Sequence, residues 1–167
     1  PQVCVSLLTW DKLCLTTDMR QGDTGIHLET SIGYLLKETA SALRASMEAV
    51  LRPLGMTVTH YSCLELLAQR PGLSNSELAR GTFVTRQSMN VLLQTLERDG
   101  FVTRATEPSV GKALPTQLTD SGRRSLAQAS AAIRGVEQRM LTDLTADQQT
   151  EARQILRSMV ASLRSAV

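Results

Sequence analysis

Apolar residues recur at helical spacing over most of this chain. They fall three and four positions apart, the spacing that puts side chains on one face of an α-helix. The last predicted helix follows this pattern, and we expect its Leu156 and Val160 to point inward. Four longer helices are predicted in this way, over about residues 27–52, 59–69, 119–142 and 145–164. The pattern therefore predicts a mainly α-helical chain.

Start and stop signals predict two shorter helices in the centre of the chain. Ser74 is followed three residues later by Glu77, which is the pattern of a capping box. We expect Gly81 to end that helix in a left-handed conformation, and Thr85 to cap the next one. The apolar residues of this second helix share one face: Met89, Leu92, Leu93 and Leu96.

A hairpin is predicted directly after these two helices. Gly100 stops the second helix, and residues 101–106 and 113–118 have the character of two short strands. Two short helices, a turn and a β-hairpin describe a winged helix-turn-helix. The predicted fold is mainly α with a small two-stranded β-wing, in which long N- and C-terminal helices flank the winged helix-turn-helix.

The second short helix carries the side chains that a DNA-recognition helix needs. Arg86, Gln87 and Asn90 lie opposite its apolar face, and these residue types hydrogen-bond guanine or adenine in the major groove. Amides and hydroxyls at the two helix starts, and cations on the wing, favour phosphate. The predicted DNA contacts are Ser74, Ser76, Thr85, Arg86, Gln87, Ser88, Asn90, Arg104 and Lys112.

Composition agrees with a globular protein but does not by itself indicate DNA binding. The 167 residues are 42% hydrophobic and 20% charged, and the net charge is only +2. Any contact with DNA must therefore come from local placement of Arg and Lys. Three cysteines without close spacing favour a reducing cytoplasm, and we expect no membrane span and no signal peptide.

Several separated motifs resemble the MarR family of transcription regulators. The resemblance covers about residues 30–165 and rests on 73–79, 84–90, 96–104 and 118–123, which agree with the family in order and spacing. It implies a homodimer that binds a pseudo-palindromic operator on double-stranded DNA, most often as a repressor. The implied division is an extension at 1–26, a dimerisation helix at 27–52, the DNA-binding domain at 53–118 and dimerisation helices at 119–167.

The wing departs from the family pattern. Relatives usually carry Asp-x-Arg near the wing tip, whereas the matching positions here are Val110, Gly111 and Lys112. Lys112 keeps a positive charge, but Val110 removes the carboxylate that braces the arginine. We therefore expect a looser wing with a weaker minor-groove contact.

The resemblance also implies a small aromatic effector. Relatives bind phenolic or aromatic carboxylates in the crevice between dimer helices and the DNA-binding lobe. Residues that could line this crevice are Tyr34, Lys37, His60 and Tyr61. A ligand that prefers a lobe spacing incompatible with DNA would release the operator.

Other interpretations remain open from the sequence alone. A thiol-based redox sensor of the same fold would use Cys14 or Cys63, although the leucines around Cys63 favour a buried, inert thiol. His60 and Cys63 could share a helix face, but they lack further metal ligands, so we predict no metal and no cofactor. A dimeric interaction module without DNA binding is the other alternative. No glycine-rich phosphate loop or nucleophile motif suggests an enzyme.

Overall fold

The computed structural model describes residue 25 and residues 27–104 and 116–165. The chain divides into two units, residues 1–35 and 36–167. In the first unit, one turn of 3₁₀ helix at Leu28–Thr30 precedes the start of helix α1 (Ile32–Leu51). The expected extension at 1–26 lies, apart from Gly25, outside the described residues.

Helices dominate the described ranges, and a two-stranded antiparallel sheet completes them. One turn of 3₁₀ helix at Arg52–Leu54 follows α1. The later elements are, in order, α2 (Val58–Gln69), α3 (Asn75–Gly81), α4 (Arg86–Arg98), β1 (Val102–Arg104), β2 (Thr116–Leu118), α5 (Asp120–Met140) and α6 (Ala146–Ser165). Strand β1 pairs with β2 so that Val102 lies opposite Leu118. The predicted fold class is confirmed. The wing tip between the strands lies outside the described residues.

The helix starts follow the sequence signals closely. Ser74 and Glu77 form the predicted capping box, in which each side chain accepts a hydrogen bond from the other residue's backbone N–H. Thr85 caps α4 by accepting from Ser88 N, and Thr119 caps α5 by accepting from Gly122 N. These caps satisfy backbone donors that have no partner within the helix.

One core holds the helix-turn-helix, the sheet and part of α5 together. Leu64, Leu78 and Leu93 are all at most 1% exposed and lie at its centre. The apolar face predicted for α4 is confirmed, because Met89, Leu92, Leu93 and Leu96 are all buried. The position of α4 is therefore fixed by one face, and the opposite face is left to solvent.

The expectation that Gly81 ends α3 in a left-handed conformation is wrong. Gly81 is the last residue of the helix, and the left-handed residue is Phe83, with φ of 59°. A Cβ on Gly81 would lie 2.7 Å from the Cδ1 atom of Leu66 on α2, so the Leu66 side chain would have to shift. The glycine therefore allows α2 and α3 to approach each other closely.

A second glycine joins the wing to α5. A Cβ on Gly122 would collide with the backbone carbonyl oxygen of Phe101. The same junction is held by Thr119, whose N–H donates to Phe101 O at 3.1 Å and whose hydroxyl donates to Gly100 O at 2.6 Å. The start of α5 is thereby fixed against the base of the wing.

Helix α6 differs from the sequence expectation. It begins with the expected pairing of Thr145 and Gln148, but none of its residues, all of which the structure describes, is buried. Leu156 and Val160 are each 46% exposed and Leu163 is 74% exposed. The apolar row exists, but it does not point into the core of its own chain.

Candidate nucleic-acid interface

The exposed face of α4 is the main candidate surface. Arg86, Gln87 and Asn90 are all exposed, while the other side of the same helix is held in the core. The first turn of α4 contains no acidic residue, so its unpaired backbone amides are available to an anion. The helix therefore presents hydrogen-bonding side chains on a rigid support.

Helix α3 holds the start of α4 through one polar contact. The Asn75 side-chain amide donates to the backbone oxygen of Arg86, with an Nδ2–O distance of 3.3 Å. The Oδ1 atom of Asn75 is buried without a hydrogen-bond partner among the described residues. Asn75 was not singled out in the sequence, because only the fold brings it to Arg86.

The hydroxyls predicted to contact phosphate are mostly engaged in capping. Ser74 Oγ donates to Glu77 Oε2 at 2.6 Å, and Thr85 Oγ1 lies 2.9 Å from Ser88 Oγ. Ser76 is half-buried. The cap hydroxyls therefore shape the helix starts first, and a phosphate contact would have to share them.

The start of α3 is a poorer anion site than the start of α4. Glu77 Oε2 accepts from the Ser74 backbone N–H at 2.8 Å, so this amide is already used. The hydrogen bonds from Ser74 also lower the pKa of the Glu77 carboxyl, which keeps it charged. A carboxylate at the start of α3 disfavours phosphate there.

The base of the wing places Arg104 against α4. Arg104 Nε lies 3.4 Å from Glu97 Oε2, and the Arg104 side chain is only 20% exposed. Its Nε and Nη2 atoms are buried without a hydrogen-bond partner in the described part of the chain. Arg104 is thus turned toward α4, and Lys112, the other predicted wing contact, lies outside the described residues.

Two exposed apolar residues on this surface were missed from the sequence. Val91 is 58% exposed on α4, and Phe83 is 87% exposed in the turn between α3 and α4. Helical spacing alone could have found Val91, because it lies four residues after Gln87. The left-handed backbone of Phe83 had no sequence signal, since a φ above zero is uncommon outside glycine.

The four residues predicted to bind an effector lie on α1 and α2. Burial lowers the pKa of His60, which the Asp99 carboxylate partly opposes. Burial raises the pKa of Tyr61, whose side chain hydrogen-bonds Ser130 on α5. The adjacent His60 and Tyr61 therefore interact with different elements. Lys37 is exposed on α1, and Tyr34, in the first unit, is 41% exposed.

A groove in the second unit lies between α1 and α5. Its cavity volume is about 500 Å³. Leu43 and Val136 contribute to an apolar floor, and Glu38 and Arg139 provide charge at its edge. An apolar floor with a few polar groups suits a small amphipathic ligand or an apolar side chain of another chain.

Cys63 has the properties of an inert core thiol. It is fully buried, and its Sγ atom lies 3.9 Å from Met89 Sδ. Burial raises the pKa of its thiol to about 12, so the reactive thiolate is scarce at neutral pH. Cys14, the other residue of the redox interpretation, lies outside the described residues. Among those described, no cluster of His, Cys, Asp or Glu could hold a metal ion.

Comparison with known proteins decides the family. The family model described as MarR family matches residues 54–113. The HTH-type transcriptional repressor Rv2887 of Mycobacterium tuberculosis is 42% identical over 135 residues, which are 81% of this chain and 97% of the repressor. The chain belongs to the MarR family. The match to the family model spans α2, α3 and α4, so the candidate surface lies inside it.

Solved structures of the same relative resemble this MarR-family chain. Rv2887 in complex with salicylic acid has a TM-score of 0.65 and 43% identity, covering 77% of this chain and 96% of the other. Rv2887 in complex with DNA has a TM-score of 0.64 and 40% identity, covering 77% and 97%. No helix in the described ranges has the length and apolar character that crossing a membrane requires.

Proposed function

We propose that this chain is a transcriptional repressor that binds an operator in double-stranded DNA as a homodimer. The observation that carries the proposal is the division of α4 into a buried apolar face and an exposed face with Arg86, Gln87 and Asn90. An α-helix fits the major groove, where each base pair presents a distinct set of donors and acceptors. Membership of the MarR family supports the same role.

Base recognition is assigned to three side chains of α4. Arg86 can donate two hydrogen bonds to guanine, and Gln87 and Asn90 can each pair with adenine. Each good contact of this kind contributes about 1–3 kcal/mol of discrimination. Contacts with phosphate, which position the protein on the duplex, are assigned to the hydroxyls of Ser74, Ser76, Thr85 and Ser88 and to the side chains of Arg104 and Lys112. Such contacts fix the register but carry no base preference.

The homodimer is assigned to the long outer helices. Ile32 and Leu36 on α1 are 60% and 38% exposed, and the apolar row of α6 is exposed as well. A two-fold dimer would present two copies of α4 to half-sites roughly 34–36 Å apart. We propose residues 27–52 and 119–167 as the dimerisation parts and residues 53–118 as the DNA-binding part.

Release of the operator is assigned to a small aromatic carboxylate. The relative Rv2887 forms a complex with salicylic acid, which motivates this ligand class. Tyr34, Lys37, His60 and Tyr61 remain the proposed contacts. The ligand must bind the DNA-incompatible conformation more tightly than the DNA-bound conformation, since equal affinities would not shift the equilibrium between the two. We further propose that the chain acts as a repressor and not as an enzyme. Its proposed location is the cytoplasm, where the three cysteines stay reduced.

The decisive experiment compares two double variants in operator binding. Fluorescence anisotropy would locate a binding fragment upstream of the gene, and then measure its affinity for the wild type and for Arg86→Ala with Gln87→Ala. We expect the variant to lose at least about tenfold in affinity. Gln154→Ala with Arg157→Ala is the matched control, because both residues are exposed on the side of α6 that lies away from its apolar row. Equal affinity of the two variants would overturn the assignment of α4.

A second arm of the same assay tests the effector. Salicylate added to the protein–operator complex should raise the dissociation constant, and a non-aromatic carboxylate such as acetate is the control. An unchanged dissociation constant over millimolar salicylate would reject this ligand while leaving the DNA-binding assignment intact.

A further inference from the structure

Val91 stands in the middle of the exposed face of α4. It lies two residues after Met89 and two before Leu93, both of which are buried, so its side chain points away from the core. Its neighbours along the exposed face are Gln87, one turn before it, and Gln94, one turn after it. Val91 is 58% exposed and is the one large apolar side chain of α4 that is exposed.

The position of Val91 distinguishes it from a chance surface apolar residue. Single exposed apolar side chains are common and need no explanation when they are scattered. Here the side chain lies directly opposite the buried face, between two glutamines that can hydrogen-bond bases. Any major-groove ligand of this face must therefore meet Val91, and the helix itself gains nothing from it because valine is a weak helix former.

We propose that Val91 determines specificity by contacting the C5-methyl group of a thymine in each half-site of the operator. This inference rests on the proposed DNA-binding function of α4. The major-groove edge of thymine carries a methyl group, which the edges of adenine, guanine and unmodified cytosine lack. Valine has no donor or acceptor, so a polar base edge pressed against it would lose water without gaining a hydrogen bond. Thymine is the base that fits an apolar side chain at this position.

The test removes the methyl group from the DNA rather than from the protein. Each thymine of the operator duplex is replaced in turn by deoxyuridine, which differs only in lacking the C5-methyl group. At one position in each half-site, this replacement should weaken wild-type binding by about fourfold, because one methyl-sized group is no longer buried. The same replacement should have no effect on Val91→Ala, since its side chain no longer reaches the methyl.

Arg86→Ala is the matched protein control. It should bind the unmodified operator more weakly than wild type yet keep the full sensitivity to deoxyuridine at the same position. Val91→Ala should keep its fold, because alanine is the better helix former and the replaced side chain lies outside the core. Circular dichroism and thermal unfolding check that all three proteins are equally folded.

The outcomes separate this inference from the function on which it rests. If wild type binds a specific operator but Val91→Ala keeps the wild-type sensitivity at every position, the role of Val91 is wrong and DNA binding stands. The role of Val91 is equally wrong if no deoxyuridine weakens wild-type binding. If wild type shows no sequence-selective binding to any fragment, the proposed function itself fails. The inference is supported if Val91→Ala loses the sensitivity to deoxyuridine while wild type and Arg86→Ala keep it.

Discussion

Helices α4 and α6 have the same apolar periodicity, but only α4 buries its apolar face within its own chain. Leu93 of α4 is 1% exposed, whereas Leu163 of α6 is 74% exposed. The two helices have similarly low average hydrophobicity, so composition does not separate them. The difference lies in what each face contacts within the chain: α4 packs on the core of the helix-turn-helix, and the apolar row of α6 is exposed. Periodicity therefore identifies an apolar face, but it does not say whether its own chain buries that face.

The largest effect on stability should come from the buried side of α4. Leu93→Ala removes a fully buried side chain and leaves a cavity, so we expect the free energy of unfolding to fall by about 2–5 kcal/mol. Leu54→Ala is the matched control, because Leu54 is 39% exposed in the turn after α1. Urea denaturation measures both. Similar losses in the two variants would show that the α4 face is not the centre of the core.

Charges on the apolar row of α6 should act on assembly instead of on the fold of one chain. Leu156→Glu with Val160→Glu places two carboxylates in the proposed interface, so we expect at least a tenfold rise in the dimer dissociation constant, about 1.4 kcal/mol or more. Sedimentation velocity would detect the monomer, and operator affinity should fall with it.

The control for α6 carries the same charge on its other side. Gln154→Glu with Ala161→Glu changes two exposed residues that lie opposite the apolar row. This variant should sediment like wild type. A dimer that survives both pairs of substitutions would place the interface elsewhere and would leave the exposed row of α6 without a role.

Removing the capping box of α3 should have a smaller effect. Ser74→Ala deletes the side chain that accepts from Glu77 N, so we expect a loss of about 1 kcal/mol in the free energy of unfolding. Ser76→Ala, within the first turn of the same helix, is the control for stability. Hydrogen exchange at α3 should speed up in the first variant and not in the second. Equal exchange in both would mean that Ser74 does not stabilise the helix start.

Local signals predicted the helices and caps well, because their causes are local. The pairs at Ser74 and Glu77 and at Thr145 and Gln148 depend on residues three apart, and both form. Gly81 failed as a left-handed helix terminator because Phe83, two residues later, takes that conformation instead. The close approach of Gly81 to Leu66 on α2 depends on packing between helices, which the local sequence does not show.

The exposure of Arg86, Gln87 and Asn90 was predicted correctly, because it follows from their position away from the apolar face of the same helix. The surroundings of the proposed effector residues could not be predicted, since adjacent positions on α2 interact with separate elements: His60 with Asp99, and Tyr61 with Ser130. Contacts between elements depend on packing, and the sequence pattern of one helix carries no information about its neighbour.

The smallest expected effect is a pH dependence that links α2 to the end of α4. Burial lowers the pKa of His60, and the carboxylate of Asp99, the residue that ends α4, only partly offsets this. In the unfolded chain His60 takes up a proton near pH 6.5, whereas the folded chain resists it to lower pH. Between these two values the unfolded state binds more protons, so stability is complete above pH 6.5 and declines as the pH falls.

Urea denaturation at pH 5.5 and 7.5 should show this decline in wild type and a reduced decline in His60→Gln. An equal pH dependence in wild type and His60→Gln would mean that other groups cause it, and that the contact between α2 and the end of α4 does not depend on the charge of His60.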